Sequence, residues 1–411
     1  MHNSLFIRDM LKRTNADPMR LERRDPHRLV ARDLSARAAE GEFELMGVWR
    51  LTVGEPGSGI EPGVGRLLMD DLADFFRRIG VATGEEGDKE IRFVLAPDLA
   101  ERDCRLRCCP EKVIVEGGGV AGLWAGVTWL EWEMRCRRGP FLPRGENERR
   151  AAWPVQVSQG PWGGNYSVPD FSPEYLSDDA FRLYAHYGVN SMMIYGDLLC
   201  YVQSDILPEL NTPDYEQNIA MLKDAAQRAA RYGVHFSYVV VGPKLRPDHP
   251  VFQRFPEVRG TGFDRGGGTI HFLCSSSELS LAFYRETFSH LFREVPELAG
   301  LILIVSEESF YHCHMWHSRA VEPCPRCSQK SNVEVVTNLL GVIDEAVREA
   351  KPDAWVASWV YDPHPFAGSA QDEFIRHLPP KVIVYNQIEK DQAYHKDGYV
   401  KHVWDYSVDF S

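Results

Sequence analysis

The sequence predicts an α/β chain, a small α+β domain leading into a β/α barrel of the TIM type that is incomplete toward its C-terminus. Three observations carry that expectation. Beyond about residue 150, short continuous apolar runs alternate with amphipathic segments, as parallel strands covered on both faces should. A proline-rich, charged stretch, GPFLPRGENERRAAWPV, separates this rhythm from the N-terminal third. The length of 411 residues allows two or three domains and a core large enough for an enzyme.

Taken in order, residues 1–40 form an Arg-rich, weakly periodic lead-in that is expected to pack loosely. Residues 41–143 form the small α+β domain. FELMGVWRLTV reads as its first strand, and RLLMDDLADFFRRIGV sets Leu67, Leu68, Leu72, Phe75 and Phe76 on one helical face. IRFVLAP and KVIVEG are short apolar strands, and residues 119–135 form a helix turning Leu123, Trp124, Val127 and Leu130 toward a sheet. Residues 144–411 form the barrel. Its candidate strands begin with WPVQVSQ, VNSMMIYG, VHFSYVVV, GLILIVS, AWVASWVY, KVIVYNQ and VKHVWDYS, seven in all. Helices lie between them, two ending in Gly and a third stopped by Pro352. An eighth β/α unit is expected to lie outside these residues or to be supplied elsewhere.

Charge and composition narrow the function. Hydrophobic residues make up 44% and charged residues 26%, an ordinary globular balance. The net charge of −13 argues against nucleic acid or anionic membrane as a partner, yet permits a small anionic substrate at a locally basic site. No apolar run reaches the roughly 18 residues of a membrane span. The basic N-terminus lacks an apolar signal core, so a cytoplasmic location is expected. Nine cysteines, an odd number, fit free thiols in a reducing compartment. The oligomeric state is not legible.

Barrel enzymes work at the C-terminal ends of their strands, which makes a short list of candidates. Trp162 and Asn165 follow the first strand, Tyr195 and Asp197 the second, Tyr361 and Asp362 the fifth, and Trp404 the seventh; these are the expected substrate-binding residues. Aromatic faces stack on sugar rings, and carboxylates supply acid, base or nucleophile. Glu307 and Glu308 stand side by side after the apolar run LILIV. Alternation lets only one of them point inward, where burial and its neighbour would raise its pKa as a general acid needs. The plain alternative is a solvated strand end with two surface acids. Asp391, Asp405, Asp362 and Glu389 are candidates for the opposing carboxylate.

A second cluster lies in YHCHMWHSRAVEPCPRC. Cys324 and Cys327 have zinc-knuckle spacing, and Cys313 with His317 would complete a tetrahedral structural Zn²⁺ site, no cofactor being expected for catalysis. The alternative is a reduced loop of buried thiols. The other cysteines, Cys274 among them, lack ligand spacing. EGGGVAGLWAG and DRGGGT offer neither a Walker lysine nor an acidic partner at dinucleotide spacing, and read as turns.

The stretch KVIVEGGGVAGLWAGVTWLEWEMR, followed by RGPFLPR, resembles the small α+β domain preceding the barrel in β-hexosaminidases and α-glucuronidases. The resemblance covers roughly residues 41–411. It implies a hexosaminidase-like domain before a catalytic barrel, and a glycoside hydrolase acting on an N-acetylhexosaminide or a uronic-acid glycoside. Family 20 hexosaminidases carry an Asp-Glu pair after the fourth strand; by that carry-over Glu308 is the acid, and Glu307 stands where an Asp positions the substrate's acetamide. Family 67 α-glucuronidases show Ser-Glu there, which would make Glu307 the acid and Asp391 or Asp405 the base. The CPRC loop is similar to Cys-rich loops of bacterial barrel hydrolases in this wider group. A rival expectation is a non-catalytic carbohydrate-binding or zinc-stabilised barrel scaffold.

Overall fold

The computed structural model describes residues 25–54, 59–162, 168–172, 176–264, 266–306, 310, 312–315, 320–360, 369–385, 393–396 and 399–402. Two compact units emerge: Met1–Ser158 with Ser172–Met192 and Ala225–His235, and Gln159–Phe171 with Met193–Asp224 and Phe236–Ser411.

The first unit is built on a six-stranded mixed sheet. Its strands are β2 (Val48–Val53), β3 (Ala82–Thr83), β4 (Lys89–Leu95), β5 (Cys104–Cys109), β6 (Lys112–Gly117) and β8 (Gly145–Arg149), in the order β3-β2-β4-β6-β5-β8. Strands β3, β2, β4 and β6 run parallel, while β5 is antiparallel to β6 and to β8. A separate short pair joins β1 (Glu42–Glu44) to β7 (Phe141–Pro143). The single strand expected over FELMGVWRLTV is therefore two, divided at Gly47, whose φ of +82° is a left-handed conformation that suits glycine.

Helix α1 (Pro62–Ile79) starts where Glu61 caps the Gly63 and Val64 amides and ends at Gly80, φ +81°. Helix α2 (Val120–Cys136) follows the glycine turn after β6. At Gly118 an added Cβ would meet Ala100 O at 1.9 Å, so the EGGG stretch is a close backbone crossing. Leu68, Leu72, Phe75 and Phe76 of α1 are fully buried, as are Leu123, Val127 and Leu130 of α2 and Ile91, Phe93, Val113 and Val115 of the sheet. Each such large side chain contributes about 1.5–3 kcal/mol of apolar transfer.

Strand β8 spans GENER, within the stretch read as a linker. Its fully polar composition hides it from an apolar pattern, and charge complementarity builds it instead. Arg105 of β5 bonds Glu148 at 2.9 Å, and Arg107 lies 3.4 Å from Glu146. The same pairing makes CRLRCC a strand, β5, that the sequence pattern also lacks.

The second sheet is the barrel-like one. It orders β9 (Val157–Trp162), β10 (Ser191–Asp197), β11 (His235–Val241), β14 (Leu298–Ile304), β16 (Trp355–Trp359) and β17 (Ile383–Tyr385) side by side in chain sequence. The printed ladders β11–β14, β14–β16 and β16–β17 are parallel. Connecting helices are α3 (Asp178–His186), α4 (Tyr215–Ala230), the short α5 (Pro250–Arg254), α6 (Glu278–Glu294), α7 (Asn332–Ala350) and α8 (Ser369–His377). Ser177 caps α3 and Ser331 caps α7 through their hydroxyls. An excursion sheet, β13-β12-β15, is formed by β12 (Arg259–Asp264), β13 (Thr269–Leu273) and β15 (Ala320–Glu322), with the DRGGGT glycines at its hairpin.

The seventh expected strand does not join this sheet among the described residues. β19 (Tyr399–His402) pairs antiparallel with β18 (Ala393–Lys396) in a hairpin of its own. Two short strands a few residues apart close a hairpin locally, whereas a parallel neighbour needs a crossover of a dozen residues or more.

Candidate functional site

Register carries side chains to one level along the C-terminal edge of the parallel sheet. Ile304 of β14 lies opposite Trp359 of β16, which lies opposite Tyr385 of β17. Because side chains alternate, Ile302 and Ala357, two pairs earlier, share that face. Val239, Ile302, Ile304 and Ala357 form a buried cluster, and Met193, Tyr195, Trp355, Trp359 and Tyr385 pack half-buried against it. The Trp359 and Tyr385 rings meet edge to face at 4.8 Å between centroids. The result is an aromatic wall at the strand ends.

Of the expected substrate-binding residues, Tyr195 belongs to this wall. It also touches the cluster of Val241, Phe263, Phe272 and Met315 at the end of β11. Asp197 is fully buried, and its carboxylate accepts the Leu199 amide at 2.9 Å, capping the turn that follows β10. Trp162 ends β9. Asn165, Tyr361, Asp362 and Trp404 lie outside the described residues, as do Glu307, Glu308, Glu389, Asp391, Asp405 and His317. Trp359 and Tyr385 escaped the sequence reading, which looked just beyond the strands rather than at their last inward positions; the period-two pattern of WVASW was the available signal.

What brackets Glu307 and Glu308 is well defined. Ile304 ends β14; Val305 donates its N–H to Trp359 O at 2.9 Å, and Ser306 is fully buried. On the far side, Phe310 donates its N–H to Ile304 O at 3.2 Å. Its ring packs against Tyr284 at 5.6 Å and Phe288 at 6.5 Å, both on α6. His312 is buried with Nε2 2.8 Å from Val305 O, and burial pushes its imidazole pKa down to about 4. The neutral ring is thus a neutral donor to the strand-end carbonyl. Both chain segments flanking the acids are anchored on the end of β14.

A few residues on, four thiols converge. Cys274, just past β13, meets Cys324 at 3.4 Å and Cys327 at 3.9 Å between sulfurs. Cys313 joins them, all four Sγ atoms lying within 4.8 Å of one another. All are buried, with Val335 of α7 packed against the group. The three expected cysteines are here, and the fourth donor in contact is Cys274, which spacing in the sequence had set aside. Thiols hydrogen-bond one another: Cys313 draws Cys274 down to about 7 while its own pKa rises.

In the first unit a buried ion network joins the lead-in to three helices. His27, entirely buried, places Nδ1 3.0 Å from Asp74 and Nε2 2.9 Å from Glu131. Asp71 accepts from His186 Nε2 at 3.0 Å and from Arg182 Nε. Burial alone would raise the Asp71 pKa, but His186 and Arg182 hold the carboxyl down at about 2. Glu131 is pushed upward by burial and by the Asp71 charge. Arg182 supplies the positive charge that a cation would otherwise bring, so this network is structural. It also ties His27 into the unit.

With this geometry in view, no protein-family model and no curated protein matches the chain. Solved structures do. A GH138 enzyme targeting pectin rhamnogalacturonan II aligns with TM-score 0.54 and 10% identity over 82% of this chain and 48% of its own. A GH20 exo-β-N-acetylglucosaminidase from Vibrio harveyi, in complex with N-acetylglucosamine, aligns with TM-score 0.52 and 12% identity over 88% and 57%. The shared feature is the fold. A mutant Streptomyces plicatus β-hexosaminidase in complex with GlcNAc gives TM-score 0.51 and 14% identity over 90% of this chain and 76% of its own. The chain thus spans about half the length of the first two structures. It is a mixed α/β protein whose parallel sheet is of the kind found in these β/α-barrel glycoside hydrolases. No helix among the described residues is long and apolar enough to cross a membrane.

Proposed function

We propose that this chain is a glycoside hydrolase cleaving a terminal sugar, an N-acetylhexosaminide or a uronic-acid glycoside, from a glycan by carboxylate acid/base catalysis. The observation that carries the reading is the end of β14. There a buried strand, with the aromatic wall of Tyr195, Trp359 and Tyr385 at its end, is followed in sequence by Glu307 and Glu308. Likeness of fold to GH138 and GH20 enzymes supports it.

In this reading Glu307 or Glu308 protonates the leaving glycosidic oxygen. Asp391 or Asp405 activates water or steadies the substrate, with Asp362 and Glu389 in reserve. The aromatic wall, with Trp162, Tyr361 and Trp404, stacks on the sugar while Asn165 offers hydrogen bonds. A separation of about 5 Å between the two carboxyl groups would give retention through an enzyme nucleophile, and about 6.5–9.5 Å inversion.

The test begins with a panel of nitrophenyl glycosides that includes the N-acetylglucosaminide and the glucuronide. On whichever substrate is cleaved, Glu307→Gln or Glu308→Gln should lower kcat by several orders of magnitude with circular dichroism unchanged. Near-parental rates in both variants would refute the assignment. Sugar binding by calorimetry without hydrolysis of any glycoside would favour a carbohydrate-binding scaffold instead.

A further inference from the structure

We propose that Cys274, Cys313, Cys324 and Cys327 bind one Zn²⁺ as a closed, tetrathiolate structural site that ties the excursion sheet to the end of β14. Tetrahedral coordination with Zn–S bonds of about 2.3 Å requires sulfurs about 3.8 Å apart. The sulfur pairs at 3.4 and 3.9 Å straddle that value, and every pair lies within 4.8 Å. Disulfide sulfurs stand about 2.05 Å apart, far closer than these.

The surroundings are built for the group. Gly260 of β12 faces it: a Cβ there would meet Cys313 Sγ at 2.9 Å and Phe272 O at 2.6 Å, so a side chain would intrude on the sulfurs. Ser276 Oγ lies 3.3 Å from Cys327 Sγ, placed to donate its O–H to a thiolate. Backbone amides are held too: Cys313 N–H donates to Ser275 Oγ at 3.1 Å and Cys324 N–H to Thr261 Oγ1 at 3.2 Å. In the CPRC knuckle, Ser328 N–H donates to Cys324 O at 3.0 Å. The group is shielded from solvent, with all four cysteines at most 5% exposed. A full set of four protein ligands leaves no open position, which marks a structural rather than a catalytic metal.

Topology explains what such an ion would do. The ligands come from three places along the chain: the end of β13, the segment after β14, and the knuckle after β15. Cys313 adjoins His312, whose ring reaches back to Val305 O. One ion would thus cross-link the end of β13 and the knuckle after β15 to the segment that follows β14. Tetrahedral all-sulfur sites suit zinc, iron being the other common occupant. The assignment does not depend on the glycosidase reading.

The experiment uses the full chain purified without added metal. Elemental analysis should find about one zinc per chain, and X-ray absorption should show four sulfurs at about 2.3 Å. Cys274→Ser should reduce the zinc content severalfold, whereas His317→Ala should leave it unchanged. The reverse pattern would overturn the four-cysteine assignment in favour of three cysteines and a histidine. If the serine variant fails to fold, the sulfur count on the parent protein still decides. Iron in place of zinc, zinc far below one per chain, or a non-reduced intact mass showing two disulfides would each overturn the proposal.

Discussion

Replacing Asp71 by Asn probes the buried ion network with little change of shape. Asn stands in for the protonated carboxyl, so its cost at neutral pH equals the free energy by which folding favours the ionised form. The pKa falls from the ordinary 3.8 to about 2. At about 1.36 kcal/mol for each pH unit, that gap makes about 2 kcal/mol. The sign follows from a depressed carboxylate: the stabilisation is fully present above pH 3.8 and is lost as pH falls through about 2. At pH 3 the difference between parent and variant should therefore have shrunk to about half of that. Urea unfolding at pH 7 and pH 3, followed by far-ultraviolet circular dichroism and tryptophan fluorescence, measures both values. A variant within about 0.5 kcal/mol of the parent at pH 7, or a gap that widens toward pH 3, would refute the claim that Arg182 and His186 hold Asp71 ionised.

Two further perturbations address the strand ends. Trp359→Ala removes the centre of the aromatic wall and should raise KM for the cleaved glycoside about fivefold, about 1 kcal/mol, with a smaller change in kcat; an unchanged KM would remove Trp359 from the sugar site. Phe310→Ala empties the space between Tyr284, Phe288 and the end of β14, and should cost about 3–5 kcal/mol in chemical denaturation. A loss under about 1 kcal/mol would show that Phe310 does not anchor the segment beyond Glu308.

Much of the fold was legible locally. Helix α1 was readable because Leu68, Leu72, Phe75 and Phe76 repeat at helical spacing, and α7 because Pro352 stops its period. The strands β10, β11 and β14 announced themselves as unbroken apolar runs. Polar strands did not: GENER is held by Arg105 and Arg107 across the ladder, and no window of its own sequence contains those partners. Gly47 divides one apparent strand because a left-handed glycine and a turn leave the apolar pattern intact. The candidate site was legible by rule, as strand ends, but its level was not. That Ile304, Trp359 and Tyr385 stand abreast depends on register between strands separated by helices.

The sequence by itself determined the amphipathic helices, the apolar strands of the β/α rhythm and the two acids after β14, since spacing along a chain dictates which side chains share a face. Tertiary structure alone decided which distant groups meet. Cys274 lies 50 positions from Cys324, and His27 lies 155 from Arg182. Such apposition is set by how strands and helices stack, a long-range packing energy that no local period encodes.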